Sequence, residues 1–135
     1  MTQRIDVFLQ YYKPHVSGLT NMAATLAEAA AAEGYDVHVH CVAKSGSPIE
    51  SVVEGVTVHA YRKSFSLGRG NFSWGFLRPA WRVRGERGMA HFHLPLPESA
   101  AFGWMLSGRP MLVTYHCDAP KNGLLDTIVA VALNL

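Results

Sequence analysis

Charge is scarce in this chain. Of its 135 residues, 16% are Asp, Glu, Lys or Arg and 49% are apolar. That balance excludes a disordered, self-repelling polymer and fits one globular domain with a real core. Long apolar runs are absent as well: none approaches the ~18 residues of a membrane span. The N-terminus lacks the basic segment, apolar core and cleavage site of a secretory signal. Cysteine is rare. Cys41 and Cys117 have no metal-ligand spacing and read as reduced thiols of a cytoplasmic protein. Cys41 reads as a small core residue, whereas Cys117 sits on a loop beside other polar residues. Twelve glycines are present, yet neither G-x-G-x-x-G nor the Lys of a P-loop is, so an NAD site is poorly supported. No recognition helix or single-strand-binding pattern is visible, and nucleic acid is not an expected partner.

What charge there is has been segregated. Between Arg62 and Arg87 stand seven basic residues against one acid, Glu86, while the remainder carries five basic and nine acidic side chains. A cationic segment therefore interrupts an otherwise acidic body.

Hydrophobic periodicity alternates between strand and helix. Residues 4–10 read as a strand. Residues 18–33 read as a helix with Leu19, Met22, Ala23, Leu26 and Ala30 as its stripe, ended by Gly34. Tyr35 to Val42 and Gly55 to Tyr61 alternate as two further strands, separated by a polar loop over 44–51. An irregular Gly-, Ser- and Arg-rich loop covers 62–73, and 74–85 has helical spacing despite Pro79. Gly88 to His93 is a strand, Leu96 to Leu106 a short helix, Met111 to Tyr115 a fifth strand, and Leu124 to Leu135 a helix. Strands separated by helices predict an α/β fold: a Rossmann-like parallel sheet with right-handed crossovers and helices on both faces. Such a sheet gathers the loops at 11–18, 91–95 and 114–118 on its carboxyl edge, where open α/β sheets bind ligands.

Each loop carries candidate chemistry. Ser17 and Gly18 open the first helix, where backbone N–H groups and the helix dipole favour a phosphate; Gly18 is equally explained as a tight-turn residue. His15 lies on the same loop and can line the cleft. His91 and His93, two apart in a strand, point the same way. Such a pair can bind zinc, but no third ligand stands at a diagnostic spacing and no metal is expected. His116 ends a buried strand beside Asp118. Its imidazole suits donation to a substrate hydroxyl or a developing charge, with a strand-end histidine bonded to backbone as the plainer reading. His38, His40 and His59 lie on strands without a site context and receive no function.

Five segments together resemble one family. Tyr11-Tyr12-Lys13-Pro14-His15-Val16-Ser17-Gly18-Leu19, LAEAAAAEGYDVHVHC (from Leu26), EGVTVHAY (from Glu54), AHFHLPLP (from Ala90) and PMLVTYHCD (from Pro110) occur in order along essentially the whole chain. They are similar to segments of the N-terminal domain of retaining GT-B glycosyltransferases of family 4. The resemblance implies one half of a GT-B fold, the acceptor side. It gives Ser17 and Gly18 to the donor diphosphate, His116 to the transferred sugar and His93 to the cleft floor; His15 and Asp118, from their place on the same loops, are candidate substrate contacts beside them. Donor is then a nucleotide sugar and acceptor a glycan or glycolipid, with no cofactor and no obligatory metal. The sequence departs from the family at Ser17, which replaces a glycine, and at Leu19-Thr20-Asn21, where a glutamate is common.

The nucleotide-binding second domain, with its Glu-x7-Glu motif, is not found among these 135 residues. The expectation is a transferase domain inactive alone; the alternative is a non-catalytic Rossmann-like module binding a sugar nucleotide, lipid or protein. Leu124, Leu125, Ile128, Val129 and Val131 to Leu133 form an apolar stretch suited to a homodimer or to a separate C-terminal domain.

The cationic segment has its own pattern. Wound as a helix, Phe72, Phe76 and Val83 share a core face, while Trp74, Leu77 and Trp81 share the opposite one. Arg78 and Arg82 flank the second stripe on one side and Arg84 on the other. Tryptophan edged by arginine suits an anionic membrane surface, so Trp74, Arg78, Trp81 and Arg82 are candidate lipid contacts of a peripheral protein. The competing reading packs the tryptophans under a neighbouring loop, with Pro79 breaking the helix.

Overall fold

The computed structural model describes residues 2–67, 70–94, 96 and 108–116. Its elements in chain order are β1 (Arg4–Phe8), α1 (Gly18–Ala32), β2 (Asp36–Ala43), β3 (Ile49–Val53), β4 (Val56–Arg62), β5 (Phe65–Leu67), β6 (Gly70–Phe72), a 3-10 turn (Trp74–Phe76), α2 (Leu77–Val83), β7 (Gly88–Leu94) and β8 (Met111–Tyr115). Six strands form one sheet in the order β3-β4-β2-β1-β7-β8. All neighbours in it run parallel except the edge pair β3–β4. The fold is therefore the expected Rossmann-like α/β architecture.

The two helices pack on opposite faces. α1 lies over Val7, Leu9, Val37, Val39, Cys41, Val56 and Val58, while α2 covers Phe8, Val42, Ala90, Phe92 and Leu94. The face α1 turns to the sheet is small: Thr20, Ala23, Ala24 and Ala27 are its buried residues. Met22 and Leu26, expected in the buried stripe, are about half exposed. Alanine lets the helix backbone approach the strands closely, and the longer side chains are displaced to its flanks. Gly34 ends the helix as expected. Its φ of 90° is one that glycine adopts without strain. Its N–H meets the Ala31 carbonyl at 3.0 Å and that of Tyr35 meets Ala30 at 3.1 Å.

Three local readings change. The 44–51 loop ends in strand β3, whose register with β4 runs from Ile49↔Ala60 to Val53↔Val56. Glu54 (φ 48°) and Gly55 (φ 79°) make the two-residue turn between them, a geometry matched to the twist of paired strands. The 62–73 loop contains the β5–β6 hairpin, in which Phe65 opposes and stacks on Phe72 with ring centroids 4.6 Å apart. Residues 74–85 begin as a 3-10 turn before α2. Pro79 does not break α2, because it falls in the first turn, where backbone N–H groups have no intrahelical partner. The expected helices at 96–106 and 124–135 lie outside the described residues, apart from Leu96, which is buried against Phe92 and Leu94 in the α2-side core.

Candidate functional site

Strand polarity brings the first-loop, β7 and β8 candidates to one edge. The β1–β7 register ends at Phe8↔Phe92 and the β7–β8 register at Leu94↔Tyr115. The first loop thus leaves β1 next to residue 93, and His116 follows directly from β8. On the first loop, Tyr12 is buried and the His15 ring lies 5.0 Å from that of Tyr11. Ser17 is the N-cap of α1: its hydroxyl accepts the Thr20 N–H at 3.1 Å. The Thr20 hydroxyl in turn donates to the Tyr11 carbonyl at 3.0 Å, tying helix to loop. Gly18 has open space where a Cβ would stand and no positive φ. The turn itself does not require a glycine there.

The histidines of β7 and β8 form a connected set on the face away from α2. His91 and His93 alternate with Ala90 and Phe92, which belong to the α2-side core. Their rings are 4.1 Å apart, so they do point the same way. His91 Nε2 meets Thr114 Oγ1 at 2.8 Å, and His93 Nδ1 meets His116 Nε2 at 2.8 Å. The His116 backbone N–H donates to the Leu94 carbonyl at 3.2 Å, which holds the end of β8 against β7. His93 is fully buried and its Nε2 has no partner among the described residues. Burial, with His91 and His116 nearby, pushes its pKa down to about 3. Burial and His116 lower that of His91 too. Both rings are therefore neutral at physiological pH. Asp118 and Cys117 lie outside the described residues. Cys41 is a core thiol, pushed by burial up to about 12. Among the described residues no group of three or more His, Cys, Asp or Glu is placed to hold a metal ion.

A second polar cluster escaped the sequence reading. Asp6 is fully buried. It accepts from Arg4, from His40 Nε2 at 2.9 Å and from Arg109 Nη1 at 3.0 Å. His40 Nδ1 is 2.9 Å from the Tyr61 hydroxyl, which completes both ring nitrogens. Burial pushes the Asp6 carboxyl up, but the hydrogen bonds and charges of His40 and Arg4 more than reverse this and hold it well below the usual range. His40 is moved down, by burial first. The sequence signal was weak: an acid at the middle of an apolar strand. Nothing local pointed to Arg109, which reaches Asp6 from the turn before β8.

On the cationic segment, Phe76 and Val83 are buried, whereas Trp74 and Trp81 are 65% and 56% exposed. Arg78 and Arg82 are exposed beside them. Leu77, expected in the outward stripe, instead packs partly on the core. Arg84, expected to flank the same stripe, has its guanidinium 4.4 Å from the Trp81 ring centroid.

Residues 16–133 match the model of Glycosyltransferase Family 4. The chain belongs to Glycosyltransferase Family 4. The match spans Ser17, Gly18, His93 and His116 together. No curated protein matches the chain. Family membership makes this a glycosyltransferase-type domain handling sugar-related substrates and does not favour a non-catalytic module. No helix among the described residues is long and apolar enough to cross a membrane.

Proposed function

We propose that this Family 4 domain is the acceptor-side half of a retaining GT-B glycosyltransferase, moving a sugar from a nucleotide sugar to a glycan or glycolipid. The observation that carries the reading is His116 at the carboxyl edge of the sheet, bonded to a buried neutral histidine. An imidazole so placed is suited to donate to a sugar hydroxyl or to charge developing at the leaving group. The helix start at Ser17 and Gly18 faces the donor diphosphate, with its backbone N–H groups and dipole as the attraction. His15, His93 and Asp118 complete the cleft. No metal and no cofactor enter this scheme. A second α/β domain, on this polypeptide or another, supplies most nucleotide contacts.

Nucleotide-sugar consumption by the 135-residue chain, alone and paired with a donor-binding domain of the family, tests this. The chain alone should show no steady turnover, because half of a shared cleft makes only part of the contacts. The paired form should turn over, and His116→Ala should lower its rate about 100-fold with the fold intact. Steady turnover by the pure chain, or a paired His116→Ala form with near-normal rate, would overturn the corresponding part.

A peripheral position on an anionic membrane is part of the same proposal, supported by the outward exposure of Trp74 and Trp81 beside Arg78 and Arg82. Flotation with vesicles containing anionic lipid should carry the chain upward. High salt and the Trp74→Ala/Trp81→Ala double variant should each abolish this. Equal flotation with neutral vesicles would end the idea.

A further inference from the structure

The His93–His116 contact constrains where protons lie. A neutral imidazole has one N–H and one bare nitrogen. His93 is buried and neutral, so its single proton sits either on Nδ1, facing His116 Nε2 at 2.8 Å, or on Nε2, which has no partner among the described residues. A proton on Nε2 leaves a buried N–H donor without an acceptor among the described residues, and a buried donor left unpaired is costly. A proton on Nδ1 turns that hydrogen into a bond and leaves only a bare acceptor unused. The second arrangement is favoured, and it dictates the state of the neighbour. His116 Nε2 then accepts, so a neutral His116 carries its proton on Nδ1.

We propose that His93 is a positioning residue: its Nδ1–H donates to His116 Nε2 and holds His116 in the tautomer whose Nδ1–H is left to meet a sugar hydroxyl. The inference rests on the role given to His116 above, but its tautomer is a property of this chain alone. Free histidine prefers the proton on Nε2, so the pairing holds His116 in the less common form. The arrangement also fixes ring orientation, because a ring flip would put Cε1 where Nε2 stands and lose the bond to His93. Thr114 beside His91 gives a local contrast: a hydroxyl both donates and accepts, so it imposes no tautomer on its partner.

The test is two-bond proton–nitrogen correlation of the imidazoles in the uniformly nitrogen-15-labelled chain at about pH 8, where an ordinary histidine is neutral. His116→Gln serves to assign the signal. His116 should show a protonated Nδ1 and a bare Nε2. His93→Leu should return it to the Nε2–H form. His93→Asn, whose amide N–H2 can stand where Nδ1–H stood, should keep the Nδ1–H form. A His116 already in the Nε2–H form in the unaltered chain overturns the proposal, and that reading needs no change at His93. So does a His116 unchanged by His93→Leu in a chain whose backbone spectrum is otherwise preserved. Failure of sugar transfer would instead count against the glycosyltransferase reading and leave the tautomer assignment standing.

Discussion

Two sets of histidines lie on opposite faces of one sheet, and they differ in how completely they are bonded. On the α2 side, His40 gives one nitrogen to Asp6 and the other to Tyr61, and its ring stacks on Phe8 at 4.8 Å. Next to it, His38 and His59 link Asp36 to Glu50 through contacts of 3.1, 2.9 and 3.1 Å. Every one of these six ring nitrogens has a partner. On the other face, His93 is as buried as His40 but one of its nitrogens has no partner among the described residues, and its bonded nitrogen is committed to the strand-end His116. Burial alone is therefore no guide to a residue's role, and the two sets differ instead in how far their bonding is closed among the described residues.

The comparison breaks most visibly at Asp6. Replacing its carboxylate by an amide leaves Arg109, almost wholly buried, without a counter-ion among the described residues, and turns one of the two oxygens that serve Arg4, His40 and Arg109 into a donor. Losing one partner of a buried ion pair typically costs about 3–5 kcal/mol. Asp6→Asn should therefore lower unfolding stability by about that much in denaturant titrations followed by tryptophan fluorescence. A loss under about 1 kcal/mol would mean that this cluster, too, is only loosely committed to the fold.

Acid sharpens the comparison further. His40 and His93 both have folded pKa values below the ordinary 6.5, each chiefly through burial. Below that pH the unfolded chain takes up protons that the native rings refuse. The unfolded state then binds more protons, and stability falls as pH falls. Each ring contributes at most about 1.4 kcal/mol per pH unit over this window. For His93 it closes near pH 3. Asp6 acts later: its depressed carboxyl stabilises the fold above the unfolded value of 3.8, and this is lost as pH falls through its native value. Unfolding midpoints measured from about pH 7 downward should therefore begin to decline above about pH 5, before the carboxylates contribute. His93→Asn removes one of the titrating rings and should flatten that decline, while Asp6→Asn should not. A flat profile from pH 7 to pH 4 in the unaltered chain would contradict the assignment of neutral buried rings.

Much of this was legible in the residues. Alternation located β1, β2, β4, β7 and β8, because residues that point into a core leave a period-two apolar signature; β8, expected to be a buried strand, is instead exposed along most of its length. The strand-end loops and the order of five family-like segments located His116 and His93. β3 was missed because Ile49-Glu50-Ser51-Val52-Val53 is an exposed edge strand, with little apolar demand on its sequence. The Glu54-Gly55 turn between two valine-containing runs was the signal available. The β5–β6 hairpin has three residues per strand and sits among Gly, Ser and Arg, too short for periodicity to show. Met22 and Leu26 fooled the helix reading because a sheet packed against alanines has no room for longer side chains. The Asp6–Arg109 pair is beyond any local pattern. It exists only once β8 has been laid beside β7.

The smallest effect should come from the outer end of the finished network. The Asp36–His38–His59–Glu50 chain runs toward solvent, with the Asp36 and Glu50 carboxylates 51% and 74% exposed. These bonds are open to water and counter-ions, so their net worth is that of a surface interaction with an exposed carboxylate, about 0.2–1 kcal/mol, and salt should weaken it. His38→Asn breaks the middle of the chain while leaving Asp6, His40 and Tyr61 untouched. Its cost in unfolding stability should stay within about 1 kcal/mol at low salt and shrink toward zero in about 1 M salt. Turnover of the paired enzyme should not change. A loss approaching that of Asp6→Asn would show that the two halves of the α2-side network act as one unit, coupled through the stacked rings of His40 and His59, 5.1 Å apart.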